Sequence, residues 1–276
     1  MRRTLCLLLV LLALALPTPP TSASVAQSSL ARPLPKAMAS TGDSITRAFN
    51  VDWCCVLQDA PTRSWSTGTS ATVLSHYRRL LAFDPRISGN VHNDAVSGAR
   101  MSDLARQMGL AAQQGADYVT VEMGANDLCR STIGAMTPTS VFEAQLRSAL
   151  STFVGAQPKA KVLVVSIPDL YRLWELFHDD PVARLVWDTF DICQSMLSGD
   201  NTEAERQQVV THQAALNATL AKVCAEFTQC RWDGYDVFAT QFSRGDVSPI
   251  DYFHPSTAGQ NRLAEVTWQA GYWPDQ

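Results

Sequence analysis

The apolar and polar positions along the chain fall into two kinds of pattern. Short apolar runs that are rich in β-branched residues and bounded by turn residues are typical of buried strands in a parallel sheet. We predict strands from such runs, the clearer ones over residues 118–123 and 161–167 and the weaker ones over residues 36–41, 87–92 and 231–238. The first of them along the chain, KAMAST, is less apolar than a buried strand usually is.

Longer stretches between these runs carry apolar residues every three or four positions, which is the spacing of one helix face. Ser102 and Asp103 are placed to cap one such helix, whose apolar face carries Leu104, Met108 and Ala111. Three further helices are predicted over residues 139–154, 202–227 and 256–269. Strands and helices that alternate through one domain predict a doubly wound α/β sandwich, in which ligands bind at the carboxyl ends of the strands.

The first residues have the order of a secretory signal peptide: Arg2 and Arg3, then an apolar run, then small and polar residues. The apolar run holds about 12 residues, fewer than the roughly 20 that a membrane-spanning helix needs. Small residues allow cleavage after Ala23 or Ala26. We therefore expect a soluble, secreted protein.

In this interpretation the chain has three parts: a signal peptide over residues 1–26, a leader over residues 27–35 and one domain over residues 36–276. About 250 residues remain after the signal peptide, enough for a single large domain with a buried core. The formal net charge is −4 for the whole chain and −6 without the two N-terminal arginines. Such a surface would repel nucleic acid, so we expect no nucleic-acid partner.

Six cysteines follow the predicted signal peptide: Cys54, Cys55, Cys129, Cys193, Cys224 and Cys230. Their even number favours disulfides in an oxidising compartment, and their spacing does not match that of metal ligands, so we expect no metal site. Cys224 and Cys230 form the easiest local closure. If Cys129 pairs with Cys193, the two adjacent cysteines either form a strained bridge or remain as thiols, and both alternatives stay open.

Short motifs place polar residues where predicted strands end or where the last helix begins. Ser44 follows the first strand in GDSI, Gly98 follows the second, and Asn126 follows the third in GAND. Asp251 and His254 lie three positions apart in DYFHP, so the carboxylate can hold one ring nitrogen while the other faces outward. The carboxyl ends of parallel strands share one edge of the sheet, so we expect these side chains to converge there.

Together these residues supply the groups that acyl transfer requires. A serine hydroxyl is a weak nucleophile until a base takes its proton, a role that His254 can fill while Asp251 fixes the imidazole tautomer. The negative charge that then forms on the carbonyl oxygen needs donors already in place. The backbone N–H groups of Ser44 and Gly98 and the side-chain amide of Asn126 would provide them.

The motifs are similar to the four signature blocks of the GDSL or SGNH hydrolases, namely GDSI at 42–45, Gly98, GAND at 124–127 and DYFHP at 251–255. The resemblance follows the family's order over nearly the whole chain after the signal peptide. It implies a three-layer, flavodoxin-like α/β sandwich with about five parallel strands flanked by helices, and no cofactor. A departure is Ala95, which stands where many members have glycine.

The resemblance also implies roles for individual residues. Ser44 would be the nucleophile, and His254 with Asp251 would complete the catalytic triad. The oxyanion hole would be formed by Ser44, Gly98 and Asn126. We interpret Asp43 separately, from its position beside the serine, as a structural residue that orients the loop.

Within the family, the stretches SWSTG, SGARMSDL and GANDLC are most similar to the phospholipase B branch. Residues 170–190 are apolar and aromatic, and we expect them to pack against the sheet, with an acyl-chain groove or a lipid-contact flap as the alternative. The predicted function is a secreted serine esterase or lipase that hydrolyses carboxylic esters through an acyl-enzyme, with lipid or phospholipid acyl esters as substrates.

Two other functions use the same residues differently. A carbohydrate O-deacetylase would need the same chemistry, and a binding module that has lost catalysis would keep only the fold. The intact set of five candidate residues argues against the binding module. As partners we expect a small-molecule or lipid ester and a transient contact with a membrane surface, and we expect the protein to be a monomer.

Overall fold

The computed structural model describes residues 33–275, so the predicted signal peptide and most of the leader lie outside the described residues. The strands of the described part are β1 Met38–Gly42, β2 Val91–Asn93, β3 Tyr118–Glu122, β4 Lys161–Val164 and β5 Cys230–Trp232. They form one sheet in the order β2-β1-β3-β4-β5, and every neighbouring pair is parallel. This confirms the predicted α/β fold with five parallel strands flanked by helices.

Helices connect the strands and cover the sheet. The α-helices of the described part are α1 His76–Phe83, α2 Met101–Gln113, α3 Ala125–Leu128, α4 Thr139–Ala156, α5 Leu170–Phe177, α6 Pro181–Thr189, α7 Gln194–Leu197, α8 Glu203–Cys224, α9 Asp236–Ala239 and α10 Thr257–Ala270. The long helix α4 packs against both α2 and α8. None of the helices in residues 33–275 combines the length and the apolar character needed to cross a bilayer.

Several predicted boundaries were wrong by two residues or more, and side-chain hydrogen bonds explain two of them. The strand predicted over residues 161–167 ends at Val164, and the helix predicted over residues 202–227 ends at Cys224. The strand predicted over residues 231–238 ends at Trp232, because the Asp233 carboxylate accepts hydrogen bonds from the backbone N–H groups of Tyr235 and Val237 and turns the chain into α9. The second strand begins at Val91, after a 3-10 turn that occupies the start of the predicted run. Helix α2 begins before the predicted cap, since the Arg100 backbone N–H donates to the Asp103 carboxylate.

The polar residues of β1 are buried but paired, which explains how KAMAST forms a central strand. All five β1 residues are buried. The Ser40 hydroxyl lies 2.9 Å from the Thr67 hydroxyl, and the Thr41 hydroxyl donates to the carbonyl oxygen of Thr120 at 3.1 Å. Because these bonds replace those to water, burying the polar strand costs little.

Three disulfides cross-link the described chain. Cys224–Cys230 joins the end of α8 to the start of β5, as predicted, and Cys129–Cys193 joins the chain after α3 to the start of α7. The adjacent residues Cys54 and Cys55 are also bridged, so the structure contains the vicinal disulfide rather than two thiols.

A fully buried histidine connects α1 to the sheet and to α10. One ring nitrogen of His76 lies 2.8 Å from the Tyr118 hydroxyl, and the other lies 2.8 Å from the Thr267 hydroxyl. Burial, with a smaller contribution from the charge of Arg79, lowers the pKa of His76 from its ordinary value of 6.5 to about 3. The imidazole is therefore neutral in the folded protein, whereas it takes up a proton in the unfolded chain below about pH 6.5.

This difference predicts that His76 makes the fold less stable in acid. Between about pH 6.5 and pH 3 the unfolded chain binds one more proton at this site, so the free energy of unfolding should fall by about 1.4 kcal/mol per pH unit as the pH is lowered. Urea unfolding from pH 4 to pH 7 should show that the slope is smaller by about one proton in His76→Gln. The same substitution at the exposed His178 is the control, and an unchanged slope in His76→Gln would contradict the prediction.

Candidate active site

The chain leaves β1 through a glycine that no other residue could replace without strain. Gly42 has φ +144°, and a Cβ atom at this position would lie 2.3 Å from the carbonyl oxygen of Glu122 on the neighbouring strand. This close approach lets the loop after β1 turn at the carboxyl edge of the sheet. Ser44 follows two residues later, with 7% of its surface exposed.

The structure brings the serine, the histidine and the aspartate of the two distant motifs together. Ser44 Oγ lies 2.8 Å from Nε2 of His254, and Nδ1 of the same ring lies 2.7 Å from Oδ2 of Asp251. With the proton of the neutral imidazole on Nδ1, Nε2 is free to accept the proton of the serine hydroxyl. This arrangement can activate a hydroxyl as a nucleophile.

Asp251 is held by donors that keep it ionised. Its Oδ1 accepts hydrogen bonds at 3.0 Å from the backbone N–H groups of Phe253 and His254, and its Oδ2 accepts one at 2.5 Å from the side-chain amide of Asn50. Burial alone would raise the pKa of Asp251, but the charge of His254 and the hydrogen bonds from His254 and Asn50 outweigh it and lower the pKa. The carboxylate can therefore stabilise a positive charge on the imidazole.

Sequence reasoning missed two residues that support this arrangement. Asn50 has a left-handed backbone (φ 51°), and its Oδ1 accepts a hydrogen bond from the Leu57 N–H at 2.5 Å. Gln260 on α10 is fully buried, and it donates to the carbonyl oxygen of Ile45 and accepts from the Trp65 N–H, both at 2.8 Å. No motif contains either residue. The one available signal was that position 50 is an asparagine, a residue type that tolerates a positive φ.

Three donors lie near the serine hydroxyl. Within the described chain, the backbone N–H groups of Ser44 and Gly98 donate to no protein acceptor, and Gly98 has φ +80°. The Asn126 amide donates to the carbonyl oxygen of Ala99 at 3.1 Å and to Asp43 Oδ2 at 3.3 Å. An oxygen bound here would replace the longer of these two contacts.

Ser44, Gly98, Asn126 and His254 line one open cleft of about 290 Å³. The rings of Phe49 and Phe253 pack edge-on against the imidazole of His254, with centroids 5.1 and 5.0 Å away. Other walls are formed by Ser97, Asp191, Ile192 and the Cys129–Cys193 disulfide. The cleft is therefore apolar around the histidine and polar toward its rim.

The family model for the GDSL-like lipase/acylhydrolase family matches residues 41–262. The chain belongs to this family. The four sequence blocks predicted this membership, in a family of lipases and acylhydrolases.

One curated relative of this GDSL hydrolase is the membrane-associated phospholipase B1 of Rattus norvegicus, which is 26% identical over 208 residues. The match covers 63% of the present chain and 14% of the relative, so the chain spans about one seventh of that protein's length.

Two solved structures share the fold. A protein described as a GDSL-like lipase from Parabacteroides merdae has a TM-score of 0.53 and 16% identity, and the match covers 85% of this chain and 94% of that one. LAE5, an α/β hydrolase enzyme from the metagenome of Lake Arreo in Spain, has a TM-score of 0.50 and 16% identity with the same coverage. At these identities the likeness extends to the fold.

In this GDSL hydrolase, residues 170–190 form α5 and α6 with the linking turns. Leu170, Phe177 and Trp187 are buried, and the Trp187 indole donates to the carbonyl oxygen of Tyr252 at 3.2 Å. The stretch packs against α7, α8 and the loop that carries His254, so these contacts do not show the expected packing against the sheet. Phe190 is 61% exposed, beside the cleft residues that follow it.

Beneath the serine, the hydrolase buries two carboxyl groups in contact. Asp43 accepts a hydrogen bond from the Ile45 N–H at 2.9 Å through Oδ1 and the contact from Asn126 through Oδ2, so it orients both the serine loop and the amide. Glu122 at the end of β3 is fully buried and lies against Asp43 and Thr46. Sequence reasoning missed Glu122.

Two buried carboxyl groups in contact cannot both be ionised. Burial, followed by the charge of Asp43 and the hydrogen bond to it, raises the pKa of Glu122 well above its ordinary value. Burial also raises the pKa of Asp43, to about 6, although the Ile45 N–H lowers it. Because burial and the charge of Asp43 both favour the protonated form of Glu122, Glu122 is the group of the pair that can donate a hydrogen bond to the other.

This state predicts different effects of two substitutions of Glu122. Glu122→Gln keeps an N–H donor toward Asp43 and should leave kcat close to wild type. Glu122→Ala leaves Asp43 without that donor, so kcat for an ester should fall about tenfold, whereas KM should change little. Steady-state kinetics on p-nitrophenyl butyrate, with circular dichroism to verify folding, would measure both variants, and equal losses in the two would contradict a donating Glu122.

Proposed function

We propose that the protein is a secreted serine esterase or lipase that hydrolyses lipid or phospholipid acyl esters through an acyl-enzyme on Ser44. The observation that carries this proposal is the continuous hydrogen-bonded chain from Ser44 Oγ through the imidazole of His254 to Asp251, with separations of 2.8 and 2.7 Å. A hydroxyl in such a chain can lose its proton at the moment that it attacks.

In the first half of the reaction, Ser44 Oγ forms a bond to the carbonyl carbon of the ester while its proton passes to Nε2 of His254. Asp251 stabilises the imidazolium that results. The bond between the carbonyl carbon and the alcohol oxygen then breaks, and the leaving alcohol takes the proton from Nε2. The acyl group remains on Ser44.

Negative charge develops on the carbonyl oxygen in each tetrahedral intermediate. The backbone N–H groups of Ser44 and Gly98 have no competing acceptor in the described chain, so they can bind this oxygen at no loss of other bonds. The Asn126 amide would add a third bond by giving up its 3.3 Å contact with Asp43.

In the second half, water replaces the alcohol. One proton of the water passes to Nε2 of His254 while the water oxygen bonds to the acyl carbon. Ser44 Oγ then leaves and takes that proton back, which releases a carboxylic acid and restores the starting state.

Three features support a lipid as the acyl donor. Phe49, Ile192 and Phe253 give the cleft apolar walls. The exposed apolar residues Val96 and Phe190, the latter 61% exposed, directly precede the cleft residues Ser97 and Asp191 in the chain. The likeness to phospholipase B1 adds to these observations, and a transient contact with a lipid surface would use the same exposed side chains.

Secretion, domain organisation and oligomeric state belong to the same proposal. Three disulfides fit an oxidising compartment, in agreement with a signal peptide over residues 1–26 and a hydrolase domain over residues 36–276. We infer a monomer, because Ser44, His254 and Asp251 all come from one chain.

Removal of the Ser44 hydroxyl tests its role as the nucleophile. Ser44→Ala should reduce hydrolysis of p-nitrophenyl acetate by a factor of about 10⁴ or more, because among residues 33–275 no other hydroxyl is bonded to His254. A fluorophosphonate should add to the wild-type protein, as seen by intact mass, and not to the variant. Ser88→Ala, an exposed serine outside the cleft, is the matched control.

Retained turnover in Ser44→Ala would mean that another group attacks the ester. Absence of both turnover and fluorophosphonate adduct in the wild-type protein would instead favour a binding module.

A second candidate, carbohydrate O-deacetylation, is favoured by the polar rim of the cleft, where Ser97 and Asp191 are exposed. A panel of p-nitrophenyl acetate, p-nitrophenyl octanoate, a phosphatidylcholine and acetylated xylan separates the two. We expect kcat/KM to be higher for the octanoate than for the acetate, fatty acid to be released from phosphatidylcholine, and acetylated xylan to stay intact. Preferred release of acetate from xylan would establish the deacetylase instead.

A further inference from the structure

A second cavity lies beside the catalytic cleft, on the inner side of the loop that carries His254. It has a volume of about 40 Å³, and its apolar walls are formed by Ile45, Leu170, Leu173, Phe253, Pro255 and Leu263. Three of these residues are sequence neighbours of the candidate catalytic groups: Ile45 follows Ser44, while Phe253 and Pro255 flank His254. The cavity therefore lies against the same two loops that carry Ser44 and His254.

The charged residues around this cavity have partners elsewhere. The Asp169 carboxylate caps the first turn of α5 at 3.0 Å, and Asp246 accepts hydrogen bonds from the backbone and side chain of Ser243 at 2.9 and 2.7 Å. Arg172 donates to the carbonyl oxygen of Phe242 at 3.1 Å. Since these groups are already bonded, the cavity offers a ligand mainly hydrocarbon surface.

Phe253 lines both this cavity and the catalytic cleft. Its ring also packs against the imidazole of His254 at 5.0 Å. Phe49 packs against the same imidazole at 5.1 Å, but it lines only the cleft. Among the residues that line the two spaces, Phe253 is the one that they share, so its ring is the partition between them.

We propose that Phe253 sets the acyl-chain length that the enzyme uses, because its ring separates the cleft at Ser44 from an apolar cavity suited to the end of a longer alkyl chain. The proposal rests on the function proposed above. A fatty acyl chain on Ser44 fills the cleft first, and further methylene groups remain in water because the cleft is open and the cavity behind Phe253 is closed to them.

The consequence for kinetics is a plateau. Each methylene that moves from water to an apolar surface strengthens binding about fourfold. For the wild-type enzyme, kcat/KM should rise with chain length until the cleft is filled and then stay level. With the partition removed, the rise should continue into the cavity.

The test compares Phe253→Ala with Phe49→Ala on p-nitrophenyl esters from acetate to decanoate. Both variants lose a ring from the imidazole of His254, so both lose rate on every ester alike. The ratio of kcat/KM for decanoate to that for butyrate should rise about tenfold or more in Phe253→Ala and stay near the wild-type value in Phe49→Ala. An unchanged ratio in Phe253→Ala, or an equal rise in both variants, would overturn the proposal.

A second substitution tests whether the gain comes from this cavity. Leu173→Trp in the Phe253→Ala background adds volume at the cavity wall, so it should return the decanoate-to-butyrate ratio to the wild-type value. A ratio that remains high in the double variant would place the longer chain elsewhere and overturn the proposal. If Phe253→Ala does not fold, Phe253→Leu opens part of the same partition and should raise the ratio to a smaller extent.

A binding measurement separates failure of this proposal from failure of the proposed function. By calorimetry, decanoate should bind the Ser44→Ala, Phe253→Ala protein more tightly than Ser44→Ala, and the addition of Leu173→Trp should abolish the gain. If wild-type protein hydrolyses no ester but this binding gain is found, the proposed function fails and the subsite stands. If esters are hydrolysed and neither the ratio nor the binding changes, the proposed function stands and Phe253 is not the partition.

Discussion

The candidate site depends on the hydrogen bond between Ser44 and His254, which lie 210 positions apart in the chain. A buried glutamine holds the two segments in place: Gln260 on α10 bonds to the carbonyl oxygen of Ile45, next to the serine, and to the N–H of Trp65. Both polar ends of that side chain are satisfied, so it fixes the distance without leaving an unpaired polar group in the core. The parallel sheet places the serine loop at its carboxyl edge. Gln260 connects that loop to α10, the helix that follows His254.

Three carboxyl groups near this edge differ in charge because their surroundings differ. Asp251 faces donors and stays ionised, so it can support an imidazolium. Glu122 is fully buried against Asp43, which raises its pKa, and in its protonated form it can donate to Asp43. Asp43 lies between these roles, accepting from Glu122, from the serine loop and from Asn126. The carboxyl group thus has three different roles in this site, and its burial and its neighbours decide which.

Features that depend on short sequence motifs could be predicted from the sequence, whereas features that depend on contacts between distant residues could not. Ser44, Asn126 and His254 occur in short motifs that keep their order, so local patterns were enough to select them as candidates and to predict the α/β fold. The protonation of Glu122 depends on a contact with Asp43 across two strands, and the cap that ends β5 depends on the direction of the Asp233 side chain. Such contacts exist only once the chain is folded, so no local pattern predicted them.

The Cys129–Cys193 bridge attaches the segment that walls the cleft to the chain just after α3, the helix that carries Asn126. Hydrogen bonds from Ser195 to the carbonyl oxygens of Leu128 and Arg130 reinforce the same connection. A newly made chain in a reducing cytosol would lack the covalent part of this link, and its substrate wall would be held by hydrogen bonds alone. Oxidation of these two cysteines is therefore the step that completes the wall of the cleft.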